Sequence, residues 1–305
     1  MLYYLCQLEN YCGPLRLFRY VTFRGFMALI TALLFGLWIG PKIFSWLRKK
    51  NCKDVQRDEA TVKTLAKLHE DKKKVTTMGG LVIVFGVTFS CILWMKWNVY
   101  SGGALVVGLA LSGIGIVDDW LKVRYKNARG IASHWKWLVQ GISTFVVLYF
   151  LLKTPGVGNK IDGLYVTFFK NPWMVTMPAV LLFLYWFVVI AGTSNAVNLT
   201  DGIDGLAIGC SLTVTLTYAI FAYVTGNIVL SQYLHLPYLN GVEELCVLCL
   251  AIFGAGIGFL WFNAHPAEIF MGDTGSLALG AWIGTIALMT QQAFTLLIVG
   301  FVFVL

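Results

Sequence analysis

A chain of 305 residues that is 58% hydrophobic and only 12% charged is not an ordinary soluble domain, in which about a quarter of residues are charged. With a mean hydropathy of +0.74 it reads as a polytopic membrane protein. The formal net charge of +8 is concentrated in a few segments, and no nucleic-acid partner is expected.

The first long apolar run begins near Val21 and is followed by no small-residue cleavage site, so it is expected to span the bilayer. Runs near the length that crosses about 30 Å of hydrocarbon then recur. They are predicted at 21–47, 78–97, 102–117, 135–152, 174–192, 206–224, 243–262 and 276–290, with a ninth opening near Phe294. The expected fold class is all-α: a polytopic integral membrane protein of about nine transmembrane helices, forming one catalytic domain over residues 1–305. Because the chain stops at Leu305 inside the ninth run, that domain is expected to lack its C-terminal end.

The segments between runs alternate between two sides. One side takes 48–77, 118–134, 193–205 and 263–275, with ten Lys and Arg from Arg48 to Lys74 alone. Lys122, Arg124, Lys126, Arg129 and Lys136, at the edge of the next run, add to that side. The other side holds Lys153, Lys160 and Lys170, with Lys96 at a helix end. The positive-inside rule makes the first side cytoplasmic and the N-terminus periplasmic. Arg16, Arg19 and Arg24 run against this, but the loop contrast outweighs them. Trp94, Trp97, Trp135, Trp137 and Trp173 at predicted helix ends read as interfacial belts, and Gly254-x-x-x-Gly258 as a close helix–helix contact. The seven cysteines, Cys246-x-x-Cys249 included, read as packing residues.

Four polar segments share the cytoplasmic side. "HEDKKKVTTMGG" (His69–Gly80) sets a lysine cluster before a helix start. "VDDWLKVRYK" holds the doublet Asp118–Asp119; on a helix Asp118 and Lys122 share a face, which Lys126 extends. A solvated helix end pairs one carboxylate with each lysine and has no use for an adjacent pair. "SNAVNLTDGIDGLA" repeats Asn195, Asn198, Asp201 and Asp204 at three-residue spacing beside glycine turns, oxygen ligands of the kind Mg²⁺ or phosphate-bearing groups require. "FNAHPAEIFMGDTGSLALG" carries Asn263, His265, Glu268 and Asp273, with a Gly-Asp-Thr-Gly-Ser turn opening a helix. Carboxylates and lysines together at a membrane edge suggest Mg²⁺-assisted phosphate chemistry. No Walker A sequence or dinucleotide fingerprint is present. A transporter would set its charges mid-span, where this chain has almost none.

With these motifs the chain resembles the polyprenyl-phosphate N-acetylhexosamine-1-phosphate transferases from about His69 to its end. Within them it is most similar to the branch that acts on UDP-N-acetylmuramoyl-pentapeptide. The resemblance implies transfer of the phosphosugar to undecaprenyl phosphate with release of UMP, Mg²⁺ as cofactor, and a multi-pass protein of the bacterial inner membrane whose site faces the cytoplasm. It implies catalytic roles for Asp118, Asp119 and Asp273, with Asp273 the metal ligand. Substrate-binding roles fall to Lys72, Thr77, Lys122, Lys126, Asn195, Asn198, Asp201, Asp204, Asn263 and His265. Ten helices and a homodimer are the family expectation. Two departures stand out: "KVTT" replaces Gly-Thr-Pro-Thr before Met-Gly-Gly, and the family's histidine-rich motif between its last two helices has no counterpart. A direct attack by the lipid phosphate and a covalent route through Asp273 or Asp119 both fit, the direct route better. The sibling reaction with UDP-N-acetylglucosamine is the alternative.

Overall fold

The computed structural model describes residues 1–50, 75–125, 130–166, 169 and 173–303, and among them every regular element is helical. The long helices are α1 (Val21–Lys49), α2 (Gly80–Trp94), α3 (Val99–Tyr125), α4 (Ser133–Lys153), α5 (Ala179–Thr200), α6 (Leu206–Gly226), α7 (Glu244–Asn263) and α8 (Gly272–Met289). A short α9 (Ala293–Val299) follows, and two 3₁₀ helices, Leu2–Leu8 and Gly13–Arg19, precede α1. Six helices (α1, α3, α4, α5, α6 and α7) are long and apolar enough to cross a bilayer. Of the other two, α2 has 15 residues and α8 opens on a polar Gly-Asp-Thr-Gly-Ser turn. The chain is a multi-pass membrane protein.

Two helices organise the packing. Helix α7 lies among α1, α2 and α6, while α8 lies among α3 and α5 with α2 and α6 at its flanks. Every residue of α8 from Asp273 to Met289 is buried, so this helix is surrounded by protein rather than lipid. Close approach depends on missing side chains. A Cβ on Gly254 of α7 would lie 2.8 Å from the Leu29 carbonyl carbon of α1, which bears out the expected contact at Gly254-x-x-x-Gly258.

Successive helices reverse direction, so the C-terminal ends of α1, α3, α5 and α7 meet the N-terminal ends of α2, α4, α6 and α8. Contacts such as Lys136 to Asp273, Gly205 to Asn263, and Arg48 to Glu268 tie this end together. The described parts of all four polar segments converge there. At the far end Arg24 and Glu244 form a bidentate ion pair at 2.6 and 2.7 Å, with side chains only 1% and 3% exposed. Arg24 is therefore not a free interfacial charge.

Three expectations change. The third run was expected to end at residue 117, but α3 continues to Tyr125, because buried partners from other helices compensate the acids that made the stretch look like a loop. Residues 193–200 likewise belong to α5 rather than to a connection. Trp94 is not an interfacial residue: it is buried and donates Nε1–H to Thr31 Oγ1 at 2.9 Å, whereas Trp97, Trp135, Trp137 and Trp173 are exposed.

Candidate active site

Adjacent residues on a helix project about 100° apart, so the doublet serves two different neighbours. Asp119 turns toward α8, whose own N-cap residue, Met271, makes no side-chain cap. Its Oδ1 accepts the Asp273 N–H at 3.2 Å, while Oδ2 accepts the Thr274 N–H at 3.0 Å and the Thr274 hydroxyl at 2.7 Å. A carboxylate from α3 thus satisfies the orphan amides at the start of α8, where the helix dipole favours negative charge. The approach needs Gly115, one turn earlier on α3: a Cβ there would lie 2.7 Å from both the Asp273 carbonyl carbon and Thr274 Cα.

Asp118 faces the other way and is fully buried. Its Oδ1 accepts the Ile131 N–H at 2.6 Å, and its Oδ2 lies 2.6 Å from Lys122 Nζ and 3.3 Å from Lys136 Nζ. Asp273 closes the group, with Oδ2 at 2.6 Å from Lys136 Nζ and 3.3 Å from Lys122 Nζ. Two ammoniums therefore bridge carboxylates delivered by α3 and by the first turn of α8. Thr77 joins from the segment before α2. That segment pairs with 269–271 through Phe270 N–H to Thr76 O at 2.9 Å and Gly79 N–H to Phe270 O at 2.8 Å. A Cβ on Gly272 would meet Thr77 Oγ1 at 2.9 Å and Asp119 Oδ2 at 2.7 Å, so hydroxyl and carboxylate both border this glycine.

One oxygen from each of Asp118, Asp119 and Asp273 lies within 4.8 Å of the others, a spacing that could hold a metal ion. The donors are hard anionic oxygens, and three carboxylates face only two ammoniums, so a net negative charge remains for a cation to neutralise. On both counts the residues fit an oxygen-seeking divalent cation.

A second group lies in the connections α5–α6 and α7–α8. Asn263 accepts the Gly205 N–H at 3.1 Å and donates to Ile269 O at 2.8 Å, so it brackets the two connections. His265 Nδ1 lies 3.1 Å from Asp204 Oδ2, which also accepts the Ala267 N–H at 3.4 Å. The imidazole is 80% exposed and the Asp204 carboxylate 5%, so the ring is presented outward from a fixed anchor. Asn195 bonds the Ala191 carbonyl of its own helix at 2.8 Å; Asn198, one turn on, and Asp201, at the C-cap, are partly buried at the same end of α5. Lys72 and Lys126 lie outside the described residues.

Lys136 was counted only as loop charge in the sequence, yet it touches two of the three aspartates. The available signal was a lysine near the start of an apolar run with no acid at helical spacing. Such a charge must find its partner on another element. Thr274 and the Ile131 amide carried no comparable signal.

Residues 101–291 match the family described as glycosyl transferase family 4. A phospho-N-acetylmuramoyl-pentapeptide-transferase of Opitutus terrae is 45% identical over 304 residues, a match covering 100% of this chain and 82% of the relative. This chain belongs to glycosyl transferase family 4. The family match includes both α3 aspartates, Lys122, Lys136, the α5–α6 connection and Asp273, while Thr77 precedes it. Within glycosyl transferase family 4 this is a phosphosugar transferase, as the motif resemblance implied.

Proposed function

We propose that the chain transfers phospho-N-acetylmuramoyl-pentapeptide from UDP-N-acetylmuramoyl-pentapeptide to undecaprenyl phosphate, giving lipid I and UMP. The observation that carries this reading is the relative named for that activity, 45% identical along the whole chain. In this reading the aspartate end faces the cytoplasm of the bacterial inner membrane, as do Arg48 and Lys49 at the end of α1. The chain then forms one catalytic domain, which pairs as a homodimer.

The cofactor is Mg²⁺, held by Asp273 with Asp118 and Asp119 beside it; when bound, it neutralises pyrophosphate charge. Lys122 and Lys136 offer their ammoniums to phosphate oxygens. Attack by one dianion on another is slow chiefly through charge repulsion, and paired cations lower that barrier by electrostatic stabilisation. Asp118 orients the lipid phosphate and accepts its proton when the monoester arrives protonated. The phosphate oxygen then attacks the β-phosphorus in line, and the bond from that phosphorus to the oxygen of the UMP phosphate breaks. UMP departs and the phosphosugar stays on the lipid. Asp119 has both oxygens occupied by three α8 donors, which suits positioning and not attack. Thr77, Asn195, Asn198, Asp201, Asp204, Asn263 and His265, with Lys72 and Lys126, form the nucleotide-sugar side.

The deciding experiment measures UMP release by purified protein with undecaprenyl phosphate and Mg²⁺, supplying UDP-N-acetylmuramoyl-pentapeptide or UDP-N-acetylglucosamine. Release from the first substrate only, abolished by chelation, supports the proposal. Release from the second alone assigns the sibling reaction. A phosphosugar trapped on the protein without lipid acceptor would overturn the direct route.

A further inference from the structure

At the end of the bundle away from the aspartates, a cavity of about 530 Å³ is lined by Arg16, Arg19 and Tyr20 before α1, Tyr223 and Gly226 at the end of α6, and Glu243 before α7. Arg16 and Arg19 lie three residues apart on the Gly13–Arg19 3₁₀ helix, a spacing that stacks side chains on one face. Both are exposed, and neither forms an ion pair among the described residues. Across the cavity, Glu243 packs against Gly226 and uses Oε2 to accept the Gly241 N–H at 2.8 Å. No cation lies within 4 Å of its carboxylate among the described residues. Burial pushes its carboxyl above the usual range, with Glu244 adding to the rise and the backbone N–H bonds and the more distant Lys96 offsetting part of it. A cation beside it would reverse that cost.

The cavity sits where spanning helices α1, α6 and α7 begin or end, the level of lipid headgroups. Helices α1 and α6 both pack on α7 and make little contact with each other. Phe26 on α1 and Ile220 on α6, each 60% exposed, present apolar surface further along these helices. The site thus offers two guanidiniums, one carboxylate and an apolar continuation. Guanidinium pairs bind phosphate through forked N–H donors. A half-buried carboxylate rejects a second anion but accepts an ammonium that still carries N–H groups.

We propose that this cavity binds a phospholipid whose headgroup joins a phosphate to a primary amine, the phosphate on Arg16 and Arg19 and the amine on Glu243, with an acyl chain along the exposed apolar surface of α1 and α6. A quaternary amine has no N–H for Glu243, and an amine-free anionic headgroup meets its repulsion.

Native mass spectrometry of the purified full chain, mixed with equal amounts of phosphatidylethanolamine, phosphatidylglycerol and phosphatidylcholine, tests this. Wild type is expected to retain phosphatidylethanolamine about tenfold better than the other two. Glu243→Gln is expected to erase that preference while leaving UMP release intact. The Arg16→Ala/Arg19→Ala pair is expected to lower retention of all phospholipids, and Arg16→Lys/Arg19→Lys to keep part of it. Equal retention of phosphatidylglycerol by wild type, or an unchanged preference in Glu243→Gln, overturns the proposal. If the double alanine variant does not fold, the Glu243→Gln comparison alone decides.

Discussion

Replacing Gly115 by Ala tests whether the spacing of α3 and α8 sets the active geometry. The added methyl would lie 2.7 Å from the Asp273 carbonyl carbon and 2.7 Å from Thr274 Cα, where ordinary contact begins at 3.4 Å. Both neighbours are backbone in the first turn of a fully buried helix, so no side chain can rotate away. The Asp273 carbonyl oxygen lies closer still, so the helices must part by at least about 0.7 Å, and overpacking of this kind costs about 1–3 kcal/mol. Asp119, four residues on, holds the same α8 turn through bonds of 2.7–3.2 Å. Parting the helices therefore stretches those bonds and shifts Asp273 against Asp118, Lys122 and Lys136 together. Misplacement near 1 Å costs on the order of 10²-fold in rate, about 2.7 kcal/mol of barrier. The assay is steady-state UMP release beside thermal unfolding in the same detergent. Turnover within threefold of wild type, with an unchanged melting temperature, would refute the claim that this contact positions Asp273.

Further substitutions probe other links. Lys136→Met leaves Asp273 and buried Asp118 with one ammonium instead of two, and turnover should fall by about 10²-fold or more. Lys136→Arg should not restore it, because a planar fork does not replace a compact ammonium between two carboxylates; measured kcat decides. Asp119→Asn removes the charge that caps α8 and should lower stability by about 1 kcal/mol in thermal unfolding, together with a loss of turnover. At Gly130, φ is +56° and a Cβ would lie 2.5 Å from Asp118 Oδ1, so both Ala and Asn should impair UMP release. Full activity in the Asn variant, which tolerates positive φ, would show that the backbone conformation matters and the close approach does not. Arg24→Leu strands buried Glu244 and should destabilise by about 3–5 kcal/mol, whereas Arg24→Leu with Glu244→Leu should recover much of that in thermal unfolding.

What could be read in advance divides by the range of the interaction. Helix positions followed from apolar run length, and the pairing of Asp118 with Lys122 followed from a spacing of four, because both patterns are local. Convergence of the four polar segments followed from counting spans, since each passage reverses the chain. Lys136 was misjudged because its partners Asp118 and Asp273 lie on other helices, the closer contact being with Asp273, 137 residues away in sequence, and nothing within one turn of α4 announces it. Arg24 was misjudged in the same way, its partner lying 220 residues on. The stretch 118–125 looked like a loop for a related reason. Charge density marks a loop only where water is the partner, and here the partners are the start of α8, the Ile131 amide, Lys136 of α4 and Lys122 on the same helix.

The adjacency of the two aspartates follows from that division of labour. Residues three or four apart on α3 would share a face and compete for the same ligands. Adjacent residues diverge by about 100°, so a single turn of α3 can grip the amides at the start of α8 with one carboxylate and hold two ammoniums with the other. Asp273 lies at the point where these two grips meet: its own N–H binds Asp119 and its carboxylate binds the lysines that hold Asp118. Substitution of either member of the doublet therefore moves Asp273, but by different routes. Loss of Asp119 should act through α8 and register in stability, whereas loss of Asp118 should act through Lys122 and Lys136 and register mainly in turnover.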